Sequence, residues 1–359
     1  MLYPTASIPY TNPTKTYHLF KRSLQHPLPS PLPNQQQYGR RRNKPTALAT
    51  TPGPAPQAQL NISHANSRVS AVLPTGESVE ILLYGATIIS WKDAKGEEKL
   101  WLSEKAKTDG SSAVRGGIPL VFPVFGKAPD HAATAKLPQH GFARTSRWEF
   151  LGKSTSESSS SKDGGDSSVK LDFGLSSNNL SEESKKAWPY EFGLIYSVTL
   201  GKDGLRTSMV VRNEGESAWE FQVLMHSYLR IADISNISIT GLESSSYVDK
   251  VTVPISTTKS PSAPVTITGV TDRVYTPAGG PEAPVAVLEG GKTKFSIVRD
   301  NLNEIVVWNP WIDSKSIADF APVEGWKNMI CVEAGAVGGW QKLEAGETWE
   351  GGQVITAAI

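Results

Sequence analysis

From residue 60 onward the apolar positions fall in short β-branched and aromatic runs, separated by turns rich in Gly and Pro. Residues 67–85 read as two strands folded around Pro74-Thr75-Gly76, a hairpin signal. Residues 196–213 read as a second hairpin turning on Lys202-Asp203-Gly204. Further strand-like runs lie at 217–231, 236–240, 264–269, 294–298, 304–308, 328–333 and 353–358. Only 181–188 predicts a helix, with Ser181 as N-cap, Glu182 and Glu183 in its first turn, and Lys185 and Lys186 in its last. Many short strands and almost no helix predict an all-β fold, an antiparallel sandwich or barrel. The Ser/Gly-rich stretch 153–168 reads as a solvated loop inside that domain.

The first 59 residues lack this patterning. They are rich in Pro, Gln, Ser and Thr and read as a disordered extension ahead of one domain over 60–359. The extension holds seven Lys and Arg and no Asp or Glu, which also suits an organelle transit peptide, although its prolines oppose the amphipathic helix such peptides need. Removing those seven from the 36 Lys and Arg leaves 29 against 35 Asp and Glu, so residues 60–359 carry about −6. Bulk charge therefore argues against nucleic acid as a partner, and any anion must be held by a local cluster. A single cysteine, Cys331, excludes an intrachain disulfide and fits a reducing, cytoplasmic setting. No apolar run is long enough to predict a membrane span.

Strand alternation sorts residues 221–231 into two faces. Phe221, Val223, Met225, Ser227, Leu229 and Ile231 form the core face. Gln222, Leu224, His226, Tyr228 and Arg230 form the other, which its polar tips predict to be a wet, concave surface. Taken alone, His226 reads as an ordinary polar residue on that surface. Glu333 follows four apolar residues, Met329–Val332, and precedes Ala-Gly, which predicts a carboxylate at a strand end beside buried surface. Burial raises a carboxyl pKa and improves it as a base. Arg115 precedes Gly116-Gly117, and Arg144 follows Gln139-His140-Gly141. Two guanidiniums beside glycine turns suit an anion that the backbone can approach closely. No nucleotide-binding or metalloprotease motif is present, the six His show no metal-ligand spacing with Cys or carboxylates, and Cys331 reads as a structural thiol. No metal and no cofactor are expected.

The segments GATIISWK (85–92), VRGGIPLVFPVFG (114–126), LPQHGFAR (137–144), LMHSYLRI (224–231) and CVEAGAV (331–337) resemble the glucose-6-phosphate 1-epimerase branch of the aldose 1-epimerase, or galactose mutarotase-like, family. The resemblance runs from about residue 60 to the end. It implies a large antiparallel β-sandwich, usually monomeric, with a sugar cleft on its concave face. It implies interconversion of the α and β anomers of hexose 6-phosphates, with no cofactor. Carried over by position, it makes His226 the general acid and Glu333 the general base. It assigns Arg115, Gln139 and Arg144 to substrate binding, the arginines as a phosphate grip, and Asp272 to the sugar hydroxyls. Trp308 and Trp311, either side of Asn309-Pro310, are candidates to stack on the sugar or plain core residues. Three other readings stay open: an epimerase of free sugars, a carbohydrate-binding protein without catalysis, and a glycoside hydrolase, which would need a second carboxylate beside Glu333.

Overall fold

Thr207 Oγ1 and Met225 Sδ stand 2.9 Å apart, and the rings of Phe221 and Trp349 have centroids 5.6 Å apart. These contacts join two large antiparallel sheets face to face. The computed structural model describes residues 56–63, 67–157 and 166–358. Of the extension expected over 1–59, residues 1–55 lie outside the described residues, while Gln59 begins the first strand.

One sheet has nine strands and carries both hairpin strands Phe192–Gly201 and Gly204–Asn213 beside Thr348–Ala357. The other has eight. Its path runs from the edge strand Ser256–Lys259 through Ser246–Asp249, Thr271–Thr276, Glu304–Asn309, Met329–Leu343 and Trp219–Met225 to Leu120–Val121. The short strand Tyr228–Arg230 also pairs with Met329–Leu343. A separate four-stranded meander, Gln59–Ser63 to Ile88–Lys92, contains the hairpin expected around Pro74. The expected helix spans Glu182–Ala187, with the Ser181 side chain accepting from the Ser184 N–H. Among the described residues no helix is long and apolar enough to cross a membrane.

The expected all-β antiparallel sandwich is therefore the observed fold. Phe221, Val223 and Met225 from the eight-stranded sheet meet Val211, Leu205 and Ile355 from the nine-stranded one in a single buried cluster. Each such side chain contributes roughly 1.5–3 kcal/mol when fully buried. Two expectations change. The 153–168 stretch is not wholly loop, because Glu149–Glu157 and Asp166–Ser176 pair through it, with Ser154 opposite Lys170. Gly116 and Gly117 do not open space for a ligand. A Cβ on Gly117, at φ +67°, would stand 2.1 Å from the Ile88 carbonyl oxygen, so the close approach is to the chain itself.

Candidate functional site

The site lies on the face of the eight-stranded sheet that points away from the sandwich core. Met225 pairs with Ala334 and Tyr228 pairs with Cys331. That register is the same on both sides of His226 and Ser227, so His226 stands directly across from Glu333. Directly opposed residues hold their Cβ atoms about 4.5–5.5 Å apart. The side chains accordingly meet, with His226 Nδ1 3.2 Å from Glu333 Oε1. The next strands continue two cross-strand rows. One runs His226, Glu333, Val306, Val274, Val248; the other runs Tyr228, Cys331, Trp308, Asp272, with Lys250 beyond, its N–H bonded to the Asp272 carbonyl. Both rows share one face because their members are two residues apart on each strand.

This face is drier than its polar tips predicted. Leu224, Val121, Val306 and Val337 form a second small buried cluster there, and Tyr228 is fully buried. His226 is 9 % exposed and Glu333 1 %. Glu333 also does not end its strand. Met329–Leu343 continues past it, since Gly335 lets Leu224 approach to 3.0 Å from where a Cβ would be.

Above the rows is a pocket of about 100 Å³ lined by His226, Glu333, Asp272, Arg115 and Gln139, five of the six residues singled out from the sequence. Arg144 stands at its edge, where Nη2 donates to the Gln139 carbonyl at 2.8 Å. Arg115 donates to Asp319 Oδ1 at 3.1 Å and to the Tyr228 hydroxyl at 3.2 Å. Each arginine lies within range of the other's charge. Trp308 lines the pocket, edge-on to His226 at 6.1 Å. Trp311 instead packs on Trp326 at 4.3 Å, half-buried against the core.

The remaining wall was not legible beforehand. Phe125, His140, Lys250 and Val306 complete it. His140 accepts the Gly126 N–H on Nδ1 at 3.1 Å, which leaves the proton on Nε2, facing Gln139. Lys250 arches over Phe125, 4.4 Å from the ring centre, and stands 3.6 Å from Asp272 Oδ2. The strand that precedes it, Ser246–Asp249, was itself not among the expected runs.

Electrostatics set the protons. Burial pushes the Glu333 carboxyl well above its ordinary range, Asp272 adds to the rise, and Lys250 opposes it. Burial pushes His226 well down, with His140, Arg144 and Arg115 adding to the fall in that order. Both shifts favour the neutral forms, and the 3.2 Å contact is not aligned as a hydrogen bond, since His226 Nδ1 and Glu333 Oε2 have no hydrogen-bond partner among the described residues. Burial, helped by Arg144, Lys250 and Arg115, pushes His140 down to about 3, so it is a neutral donor at pH 7. Donor atoms of His226, Cys331 and Glu333 lie within 4.8 Å of one another. The Cys331 thiol is pushed up by burial and by Glu333, so it stays protonated and unreactive.

A buried His–carboxyl contact that faces Arg115, with Phe125 and Trp308 in the wall, is an arrangement suited to proton transfer. The sequence profile of the aldose 1-epimerase family matches residues 69–356. A protein from Cenchrus ciliaris is 33% identical over 283 residues, covering 77% of this chain and 80% of the relative. One from Escherichia coli strain K12 is 33% identical over 264 residues, covering 73% and 80%. The names of both carry the term glucose-6-phosphate 1-epimerase. A solved structure from Salmonella typhimurium, whose name carries the term mutarotase, superposes with a TM-score of 0.69 at 28% identity, covering 83% of this chain and 93% of that one. The family match extends from the second strand of the meander into the last strand of the sandwich, and on that extent the chain belongs to the aldose 1-epimerase family of isomerases.

Proposed function

We propose that the chain interconverts the α and β anomers of D-glucose 6-phosphate and related hexose 6-phosphates, with Glu333 as general base and His226 as general acid. The observation that carries this is the buried His226–Glu333 contact of 3.2 Å in a pocket that also holds Arg115. The names of the relatives from Cenchrus ciliaris and Escherichia coli support the phosphosugar.

Ring opening takes the proton of the C1 hydroxyl onto Glu333 and delivers one from His226 to the ring oxygen. The C1–O5 bond breaks as the C1=O1 double bond forms. Rotation about C1–C2 presents the other carbonyl face, and closure reverses both transfers. Opening starts from ionised Glu333 and imidazolium His226, a form reached when the carboxyl proton passes to the imidazole 3.2 Å away. A phosphate dianion held by Arg115 and Arg144 offsets two charges that keep His226 deprotonated, so docking favours this form. The phosphate also holds the ring in register, since it is remote from C1. His140 and Gln139 offer neutral hydrogen-bonding groups to the sugar hydroxyls, and Trp308 offers an apolar face.

A second reading, an epimerase of unphosphorylated aldoses, is favoured by one observation: Arg115 is already engaged by Asp319 and Tyr228. Exchange NMR across the anomeric signals separates the two. The proposal expects kcat/KM on glucose 6-phosphate to exceed that on glucose by at least about two decades, since docking a charged phosphate on arginines is worth a few kcal/mol. Equal or faster turnover of free glucose overturns it.

A further inference from the structure

Lys250 is a charged wall residue to which neither the acid–base pair nor the phosphate grip gives a role. We propose that Lys250, together with Asp272, reads the hydroxyl on C2 of the sugar, making Lys250 a specificity-determining residue. This rests on the acid–base reading of His226 and Glu333.

The eight-stranded sheet orders the functional side chains like marks on a ruler. Asp272, Trp308 and Glu333 come from three successive strands, and His226 follows across from Glu333. Lys250 follows the strand beyond Asp272. Arg115 lies on the opposite side, against Tyr228 and ahead of the last strand Leu120–Val121. Crossing the sheet, the order is therefore Arg115, His226, Glu333, Asp272, Lys250. Around a pyranose the order is C6 with its phosphate, the ring oxygen, O1, O2. The mechanism places the ring oxygen at His226 and O1 at Glu333, and the phosphate belongs with the arginines. The next substituent in that direction is O2, and the next side chains are Asp272 and Lys250. The charges agree with the order. His226 feels Arg144 and Arg115, while Glu333 feels Asp272 and Lys250.

The chemistry of the pair suits one hydroxyl. Lys250 can only donate, and ionised Asp272 can only accept. A hydroxyl does both. The 3.6 Å between Lys250 Nζ and Asp272 Oδ2 exceeds hydrogen-bond length, yet one oxygen can bond to both at about 2.8 Å. The cation–π contact with Phe125 steadies the ammonium over the pocket before the sugar arrives. A sugar lacking O2 leaves both charged groups without that partner.

The test is a cycle between residue and substrate group. Turnover of glucose 6-phosphate and 2-deoxyglucose 6-phosphate is measured on the full chain, for wild type, Lys250→Met and Lys250→Gln. Glucose and 2-deoxyglucose are run in parallel, so a failure of the phosphate reading leaves the C2 comparison intact. A hydrogen bond to a charged group predicts that wild type prefers the 2-hydroxy sugar by about ten- to a hundredfold. In Lys250→Met the preference falls by about tenfold, and Lys250→Gln, which keeps a donor, retains most of it. The Lys250 side chain is 29% exposed, so neither variant removes a core residue. If Lys250→Met slows both sugars by the same factor, Lys250 does not read C2. A wild type indifferent to the 2-hydroxyl refutes the assignment as well.

Discussion

Glu333→Gln isolates the proton from the shape of the residue that carries it. The amide matches the carboxyl in size, cannot take a proton from the C1 hydroxyl, and fills the same 1 % exposed position. Positioned proton transfer is worth roughly 10²–10⁴-fold, or about 3–5 kcal/mol of barrier at 1.36 kcal/mol per decade. We expect kcat to fall by that factor with KM changed less than about threefold, read by exchange NMR at saturating glucose 6-phosphate. The two side chains stand 3.2 Å apart and the proposed ring opening needs both, so they should act as a unit. The double variant His226→Asn/Glu333→Gln should therefore lose about as much as either single one. Stability moves the other way. Burial raises the folded carboxyl above its ordinary 4.5, so the stability it contributes is present below that pH and is lost as pH rises through the folded value. Glu333→Gln lacks that loss, and its melting temperature should match wild type near pH 4 and exceed it at pH 8. A variant within tenfold of wild-type kcat, or strictly additive losses in the double variant, refutes the pairing; a lower melting temperature at pH 8 refutes the burial argument.

Arg115→Ala should raise KM for glucose 6-phosphate at least tenfold while kcat changes less, and an unchanged KM would remove Arg115 from the phosphate grip. Phosphite dianion should accelerate turnover of xylose, which lacks C6, because it fills the arginine end in the absence of a substrate phosphate; inhibition at every concentration would show that the charge does nothing for the chemistry. His140, pushed down to about 3 from 6.5, contributes stability that is present above about pH 6.5 and lost as pH falls toward 3, up to about 5 kcal/mol. Acid unfolding of His140→Asn, followed by circular dichroism, should accordingly start at lower pH than wild type; the same midpoint would mean that His140 is not held neutral.

Much of the frame was readable because strand alternation is local. The hairpins at 67–85 and 196–213 and the helix after Ser181 follow from residue order alone. What pattern could not supply is what covers a face. The even positions of 221–231 carry polar tips, yet Val306 and Val121, which bury Leu224, come from strands about 80 and 100 residues away. The same limit hid the pocket wall. His140 stood beside a recognised glutamine, and Lys250 follows a strand, Ser246–Asp249, that the pattern did not announce; only the folded chain brings both to the pocket of Glu333. Gly116-Gly117 misled for a related reason: a glycine pair marks close approach without saying to what, and here it is the Ile88 backbone.

The two ends of the pocket are built on different kinds of chain. Glu333 and Asp272 belong to strands paired on both sides, whereas Arg144 sits in a single 3-10 turn and Arg115 in the irregular stretch before a two-residue strand. Under the proposed roles, the carboxylate that moves the proton is held by sheet hydrogen bonds on both flanks, while the grip on the far substituent depends on two turns. Of these, the Arg115 segment is pinned by the close approach of Gly117 to Ile88, and the Arg144 turn is the freer to change.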